Sequence, residues 1–240
     1  CYSPVGVRLG GKPQINRHPL FLEGAIEIQD EGSQLLCQLL APRRGEMVAD
    51  FCAGAGGKTL ALGAQMRGSG RLYAFDISEK RLAGLKPRLA RSGLSNVHPQ
   101  WIASENDARL KRLAGKLDRV LVDAPCTGSG TLRRSPDLKW RQDEQTLAER
   151  RAKQDVILAA AARLVKPGGL MLYATCSLLE EENAEVVESF LATHAQFGLR
   201  PAGAALAQQR IELDTGEYLR LAPHLHGTDG FFAALLAKKT

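Results

Sequence analysis

One repeated unit constrains this chain more than any other feature. A short apolar run ends in an acid or a small-residue turn, and a helical stretch follows. Met47-Val-Ala-Asp-Phe51 leads into Cys52-Ala-Gly-Ala-Gly-Gly-Lys-Thr59, and Arg71 to Phe75 ends in Asp76. Val97 to Ile102 leads to Asn106-Asp107, Val120-Leu-Val ends in Asp123, and Leu170 to Thr175 meets Cys176. Glu217 to Leu221 and Gly230 to Leu236 read as two late strands. Helices are predicted over 29–41, 60–66, 78–92 and 107–114, from Leu147 to Val165, and from Glu180 to His194. Pro42 stops the first of them and Gly93 the third, which carries Pro87 inside. Pro167-Gly-Gly169 reads as a tight turn, and 198–210 match no template. Seven strands alternating with helices in this way imply an α/β fold. The sheet is mostly parallel, with helices on both faces and right-handed crossovers.

The 240 residues, 44% of them hydrophobic, suit one large domain. Residues 1–28, with Pro4, Gly10-Gly11, Pro13 and Pro19, read as an irregular lead-in, and 29–240 as the catalytic domain. The apolar run Val156 to Ala162 is too short for a bilayer. Five cysteines without a C-x-x-C pair argue against a disulfide framework and a zinc site, and for a reducing compartment. His224-x-His226 lacks partnering cysteines or acids, so no metal is expected. A net charge of +6 leans toward nucleic acid, although ordinary solubility charge also accounts for it. Its distribution says more. Arg133, Arg134, Lys139 and Arg141 follow the Asp123 strand, whereas Glu180 to Glu182, Glu185 and Glu188 follow Cys176.

In such folds ligands sit at the carboxyl ends of the strands. That edge gathers the Gly54 loop, Asp76, Asp107, Asp123 and Cys176. Gly56-Gly57-Lys58-Thr59 is not a Walker loop, because Cys52 stands where its first glycine belongs. It is not a dinucleotide loop either, since Thr59 replaces the last glycine. Small residues still let the backbone approach a ligand. Asp76 can accept from ribose hydroxyls, and Asp107 from an adenine amino group. An adenosine cofactor without a phosphate cage points to S-adenosylmethionine, with Lys58 at a helix start suited to its carboxylate.

A thiolate attacks electron-poor carbons, and C6 of a pyrimidine is one. Asp123 can bond N3 of a cytosine. Addition at C6 makes C5 nucleophilic toward a methyl group, and a second group must then take the C5 proton. Cys37 and Cys52 read as packing and Cys1 as linker. Cys126 and Cys176 both follow strands whose ends converge. The residues leave open which of the two attacks.

Three motifs carry a family resemblance. They are Asp50-Phe-Cys-Ala-Gly-Ala-Gly-Gly-Lys-Thr59, Asp123-Ala-Pro-Cys126 with Gly128-x-Gly130 and Arg133-Arg-x-Pro-Asp137, and Thr175-Cys-Ser177 with Glu181-Glu-Asn183. Together they resemble the RNA cytosine-5 methyltransferases, and most nearly the bacterial group that modifies small-subunit (16S) ribosomal RNA. The likeness runs from Gln29-Asp30 to Asp229-Gly-Phe-Phe232. It implies a Rossmann-like class I S-adenosylmethionine-dependent methyltransferase, cytoplasmic and monomeric. Cys176 would be the nucleophile, Cys126 would aid release, and Asp123 would touch the base. Cys52, Ala53, Gly54, Ala55, Gly56, Gly57, Lys58, Asp76, Asp107 and Asp123 would hold the cofactor. Gly54-Ala55 departs from the family's usual Ala-Pro and leaves the loop less rigid. Arg133, Arg134, Lys139 and Arg141 would hold RNA phosphates, with Trp140 free to stack. The lead-in would be the end of an upstream RNA-binding region. A transfer-RNA cytosine-5 methyltransferase would share every motif. A small-molecule methyltransferase would not need two strand-end thiols, and a non-catalytic RNA-binding scaffold would not need them intact.

Overall fold

The computed structural model describes residues 1–11 and 13–240. At its centre is one sheet of eight strands: β1 Met47–Asp50, β2 Arg71–Asp76, β3 Val97–Trp101, β4 Leu117–Asp123, β5 Val165–Thr175, β6 Phe197–Arg200, β7 Leu219–Leu221 and β8 Phe231–Lys238. Their order is β3-β2-β1-β4-β5-β8-β6, with β7 also on β8. The first five are mutually parallel, and β8 runs antiparallel to its three neighbours. β4 and the second half of β5 are almost continuously buried, as strands covered on both faces should be.

The helices are α1 Pro19–Leu22, α2 Glu31–Leu40, α3 Gly57–Gln65, α4 Glu79–Ser92, α5 Ala108–Lys111, α6 Glu144–Ala162, α7 Ala184–Thr193, α8 Ala202–Gln208 and α9 Pro223–His226. Leu35, Leu36 and Leu39 of α2, Leu62 of α3, Leu85 of α4 and Leu206 of α8 build one core. On the other face Ile157 and Leu158 of α6 and Val187 and Phe190 of α7 pack against Phe75 and Tyr173. Local chemistry sets the helix ends. Asp30 caps α2, Ser78 caps α4, and Gly93 turns left-handed to end α4, which continues through Pro87.

The expected seven strands are corrected to eight, and the cause is local. β6 pairs with the second half of β8, through Leu199 and Leu236, and β7 with the first half, through Arg220 and Phe232. The two share one outer position. Pro201 offers no backbone donor to the sheet, so the chain leaves to form α8 and returns at Leu219. The predicted turn at Pro167-Gly-Gly169 lies within β5 as a bulge. Pairing jumps from Leu117–Val165 to Arg119–Leu170, with Gly168 at φ 73°.

Strand order reverses between β1 and β4, so the crevice of this sheet opens beyond Asp50, Asp123 and Thr175. The lead-in runs against the same body. Glu31 accepts from the backbone N–H of Ser3 at 2.9 Å, and Glu27 accepts from Arg91 at 2.6 Å. Among the described residues, no helix is long and apolar enough to cross a membrane.

Candidate active site

The loop after β1 is stitched to its neighbours by backbone bonds. Phe51 N–H donates to Leu121 O and Ala53 N–H to Phe75 O. Gly56 has φ 84°, and a Cβ there would lie 2.1 Å from Leu85 Cδ1, so only glycine fits. Gly54 is also left-handed, but its missing side chain would meet open space. The loop therefore presents bare backbone to the crevice. Asp76 accepts from Gly54 N–H at 2.8 Å and from Ser78 N–H at 2.7 Å, which binds the end of β2 to the loop. Asp107 stands one strand further out. It caps α5, accepting from Arg109 N–H at 2.9 Å and Ala103 N–H at 3.0 Å. Those bonds, the Ala103 one foremost, hold its carboxyl below the usual range.

Lys58, in the first turn of α3, reaches Asp123 at the end of β4, Nζ to Oδ2 2.7 Å. Burial pushes the Lys58 ammonium toward neutrality, but Asp123 outweighs it and keeps the pKa above the ordinary lysine value. Beneath them Asp50, 1% exposed, accepts from Thr59 Oγ1 at 2.7 Å, and its other oxygen has no partner. Burial pushes its carboxyl up to about 7. These groups suit a ligand that offers hydroxyls to a carboxylate and a carboxylate to an ammonium group. There is open space over Gly54, the Asp76 carboxylate bonded to the same loop, and the Lys58 ammonium at a helix start.

The two thiols meet. Cys126 Sγ and Cys176 Sγ are 3.4 Å apart, half-buried at the ends of neighbouring strands β4 and β5. The contact is asymmetric. The hydrogen bond from Cys126 draws the Cys176 pKa down, and Lys58 nearby acts in the same direction. The same bond, with burial and the Glu182 carboxylate, pushes Cys126 well up. Cys176 is thus the more acidic thiol of the pair. Cys52 is pushed well up by burial and then by Asp123, and Cys37 is pushed up to about 12 by burial. Both are inert neighbours.

The glycines after Cys126 serve this junction. Gly130 N–H donates to Cys176 O at 2.9 Å, and a Cβ on Gly130 would sit 2.2 Å from Gly230 O. Asn183 clamps the other strand, accepting from Thr175 Oγ1 at 2.6 Å and donating to Ser177 O at 3.0 Å. Glu182, fully buried, holds the peptide after Cys126.

The basic stretch divides. Arg133 and Arg134 each bond both Asp30 and Asp229, at 2.6 to 3.1 Å, and so tie the loop to α2 and β8. Arg141 pairs with Asp137 at 2.6 Å on the surface. Lys139 lies 4.7 Å over the Trp140 ring, which is 80% exposed. Beside them is a cleft of about 320 Å³ between Leu132, Leu138, Leu147 and Leu179, with Thr127 and Ser129 at its inner end. His226 is occupied with the Ala222 backbone. Among the described residues, no group of three His, Cys, Asp or Glu side chains is gathered as for a metal.

Sequence reasoning assigned no role to Asp50, Gln154, Glu182 or Asn183. Glu182 and Asn183 belong to the motif that carries the family resemblance, but the motif by itself gives them no task. Only the fold-back after β5 buries them.

Residues 37–237 match the family described as 16S rRNA methyltransferase RsmB/F. The chain is 39% identical over 236 residues to a probable ribosomal RNA small subunit methyltransferase B of Synechocystis sp., covering 98% of this chain and 53% of that protein. It is 38% identical over 238 residues to ribosomal RNA small subunit methyltransferase B of Shewanella oneidensis, covering 99% and 54%. The chain thus spans about half the length of these curated relatives. Among solved structures, NSun6 from Pyrococcus horikoshii, crystallised with SFG, an S-adenosylmethionine analogue, superposes with a TM-score of 0.82 at 27% identity, covering 95% of this chain and 57% of that one. The fold, the loop after β1, the two strand-end cysteines and this match over most of its length place the chain in the 16S rRNA methyltransferase RsmB/F family.

Proposed function

We propose that this chain transfers a methyl group from S-adenosylmethionine to C5 of a cytosine in RNA, with small-subunit ribosomal RNA as substrate. The observation that carries the reading is the 3.4 Å pairing of Cys126 and Cys176 beside the Lys58–Asp123 pair. A small-molecule methyltransferase needs no such pair.

S-adenosylmethionine, when bound, supplies an electrophilic methyl group on a sulfonium centre. Gly54 and its neighbours leave room for it, Asp76 would accept from its ribose hydroxyls, Asp107 would accept from its adenine amino group, and Lys58 would hold its carboxylate. Asp123 accepts from the cytosine amino group, and from N3 once N3 takes up a proton as the C6 adduct forms. The Cys176 thiolate adds to C6, forming the S–C6 bond while the pyrimidine electrons move to C5. After C5 has gained the methyl group it still carries its proton. Solvent water in the open crevice takes that proton, which restores the C5–C6 double bond and expels the Cys176 thiolate. Cys126, 3.4 Å from the departing sulfur, donates a hydrogen bond to it as charge returns.

The target base must leave any stack before a thiol can reach C6. Lys139, Arg141 and the exposed Trp140 lie beside the thiols' loop and suit the strand that carries it. Arg133 and Arg134 act chiefly by fixing that loop against Asp30 and Asp229.

The test is product analysis. Unmodified small-subunit ribosomal RNA is incubated with the chain and methyl-labelled S-adenosylmethionine, then digested to nucleosides. The expected label is in 5-methylcytidine. Label confined to another nucleoside, or found only with transfer RNA, would overturn the reading.

A further inference from the structure

The mechanism above gives no task to the most deeply buried carboxylate beside the thiols. Glu182 is 0% exposed and touches no cation among the described residues. An acid taken out of water without a positive partner is costly, and the fold must supply donors instead. It supplies several, and they converge on one peptide. Thr127 N–H donates to both carboxylate oxygens, at 2.9 and 3.2 Å, and Thr127 Oγ1 donates to Oε2 at 2.5 Å. Gln154 Nε2 donates to Oε1 at 3.0 Å and to Pro125 O at 3.0 Å. The residues on either side of Cys126 are therefore both held, one by Glu182 and the other through Gln154. The backbone of Glu182 is itself anchored to β5, since Tyr173 OH donates to its carbonyl at 2.7 Å.

We propose that Glu182 is a positioning residue for Cys126, holding its thiol at the distance from Cys176 that the release step needs. This rests on the two-thiol reading above. The neighbouring Asn183 accepts from the Thr175 hydroxyl and donates to Ser177 O, one on each side of Cys176. Two adjacent side chains thus each fix one member of the thiol pair, and the short helical turn Glu180–Glu182 fixes their separation. The Glu182 charge also opposes ionisation of Cys126, after the contact with Cys176 and burial, which keeps that sulfur a donor. The role requires a carboxylate. Three donors converge on it, and an amide would turn one of its own N–H groups against them.

Glu182→Gln is the test, with Thr127→Val as a second variant that removes one donor while keeping its shape. Each is compared with wild type and with Cys126→Ala on small-subunit ribosomal RNA. Denaturing gels report the covalent enzyme–RNA adduct, and labelled S-adenosylmethionine reports single-turnover methyl transfer and steady-state turnover. A loss confined to release is expected. The adduct accumulates as in Cys126→Ala, single-turnover transfer stays within about threefold of wild type, and steady-state turnover falls about tenfold or more, the effect of one charged hydrogen bond lost at a buried site. A merely structural role would lower both rates together without trapping RNA. If Cys126→Ala traps RNA but neither folded variant does, Glu182 does not position the release thiol. Loss of single-turnover transfer in Glu182→Gln would likewise overturn a role confined to release. Failure of Cys126→Ala itself to trap RNA would overturn the two-thiol reading beneath the proposal.

Discussion

Asp50 lies under the cofactor loop, and replacing it isolates one buried ionisation. Its carboxyl has an ordinary value of 3.8 and is pushed up to about 7 by burial, with the Thr59 hydroxyl opposing and Asp123 adding to the rise. A carboxyl raised in the folded state binds a proton that the unfolded chain has already lost. The associated stability is fully present below about pH 4 and is lost as pH rises toward 7, at about 1.4 kcal/mol per unit. Asp50→Asn keeps an acceptor for Thr59 and removes this titration. Between pH 5 and 8 the stability of the variant relative to wild type should therefore rise by about 3 kcal/mol, of the order of 6–12 °C in Tm for a domain of this size. Urea unfolding at half-unit pH steps measures it. Any constant offset from the altered hydrogen bond drops out, because only the slope matters, and all other titrating groups are shared. Parallel curves for the two proteins across that window would refute the burial argument.

Two further perturbations probe the scaffold. Gly56→Ala must force a left-handed alanine against Leu85 Cδ1, and about 2–4 kcal/mol of stability should be lost; a Tm within 2 °C of wild type would contradict the loop geometry. Arg133→Ala with Arg134→Ala leaves Asp30 and Asp229 unpaired and should lower stability by about 2 kcal/mol, with little change in the salt dependence of RNA binding. Lys139→Ala should do the reverse, reducing that slope by about 0.7 with stability unchanged, and equal effects in both would merge the two roles.

Much of this architecture can be read from residue order. Apolar runs ending at Asp50, Asp76 and Asp123 report their own strands, because a parallel sheet buries both faces and leaves polar groups only at the ends. The positions of Asp30, Ser78, Pro42 and Gly93 report the helix boundaries through capping chemistry. Elements set by tertiary contact are harder to read. β6, Phe197–Arg200, is four residues long and contains a glycine, so its pairing with β8 supplies what its composition does not. α5 closes after Lys111, although its periodic pattern continues to residue 114. At the site, the cysteines and the small-residue loop announce themselves by type. The ion pairs of Arg133 and Arg134 are not legible, because Asp30 and Asp229 lie about a hundred residues away on either side. Glu182 stands in a motif, but a third glutamate in a row gives no sign that it alone of the three is buried.

The assignment of attack to Cys176 and release to Cys126 is tested most directly by mapping the covalent junction. Cys126→Ala, incubated with small-subunit ribosomal RNA and S-adenosylmethionine, is digested with protease and nuclease and the cross-linked peptide is sequenced by mass spectrometry. The expected product is a methylated cytosine on Cys176, with no adduct formed by Cys176→Ala. An adduct that forms in Cys176→Ala and maps to Cys126 would contradict the account.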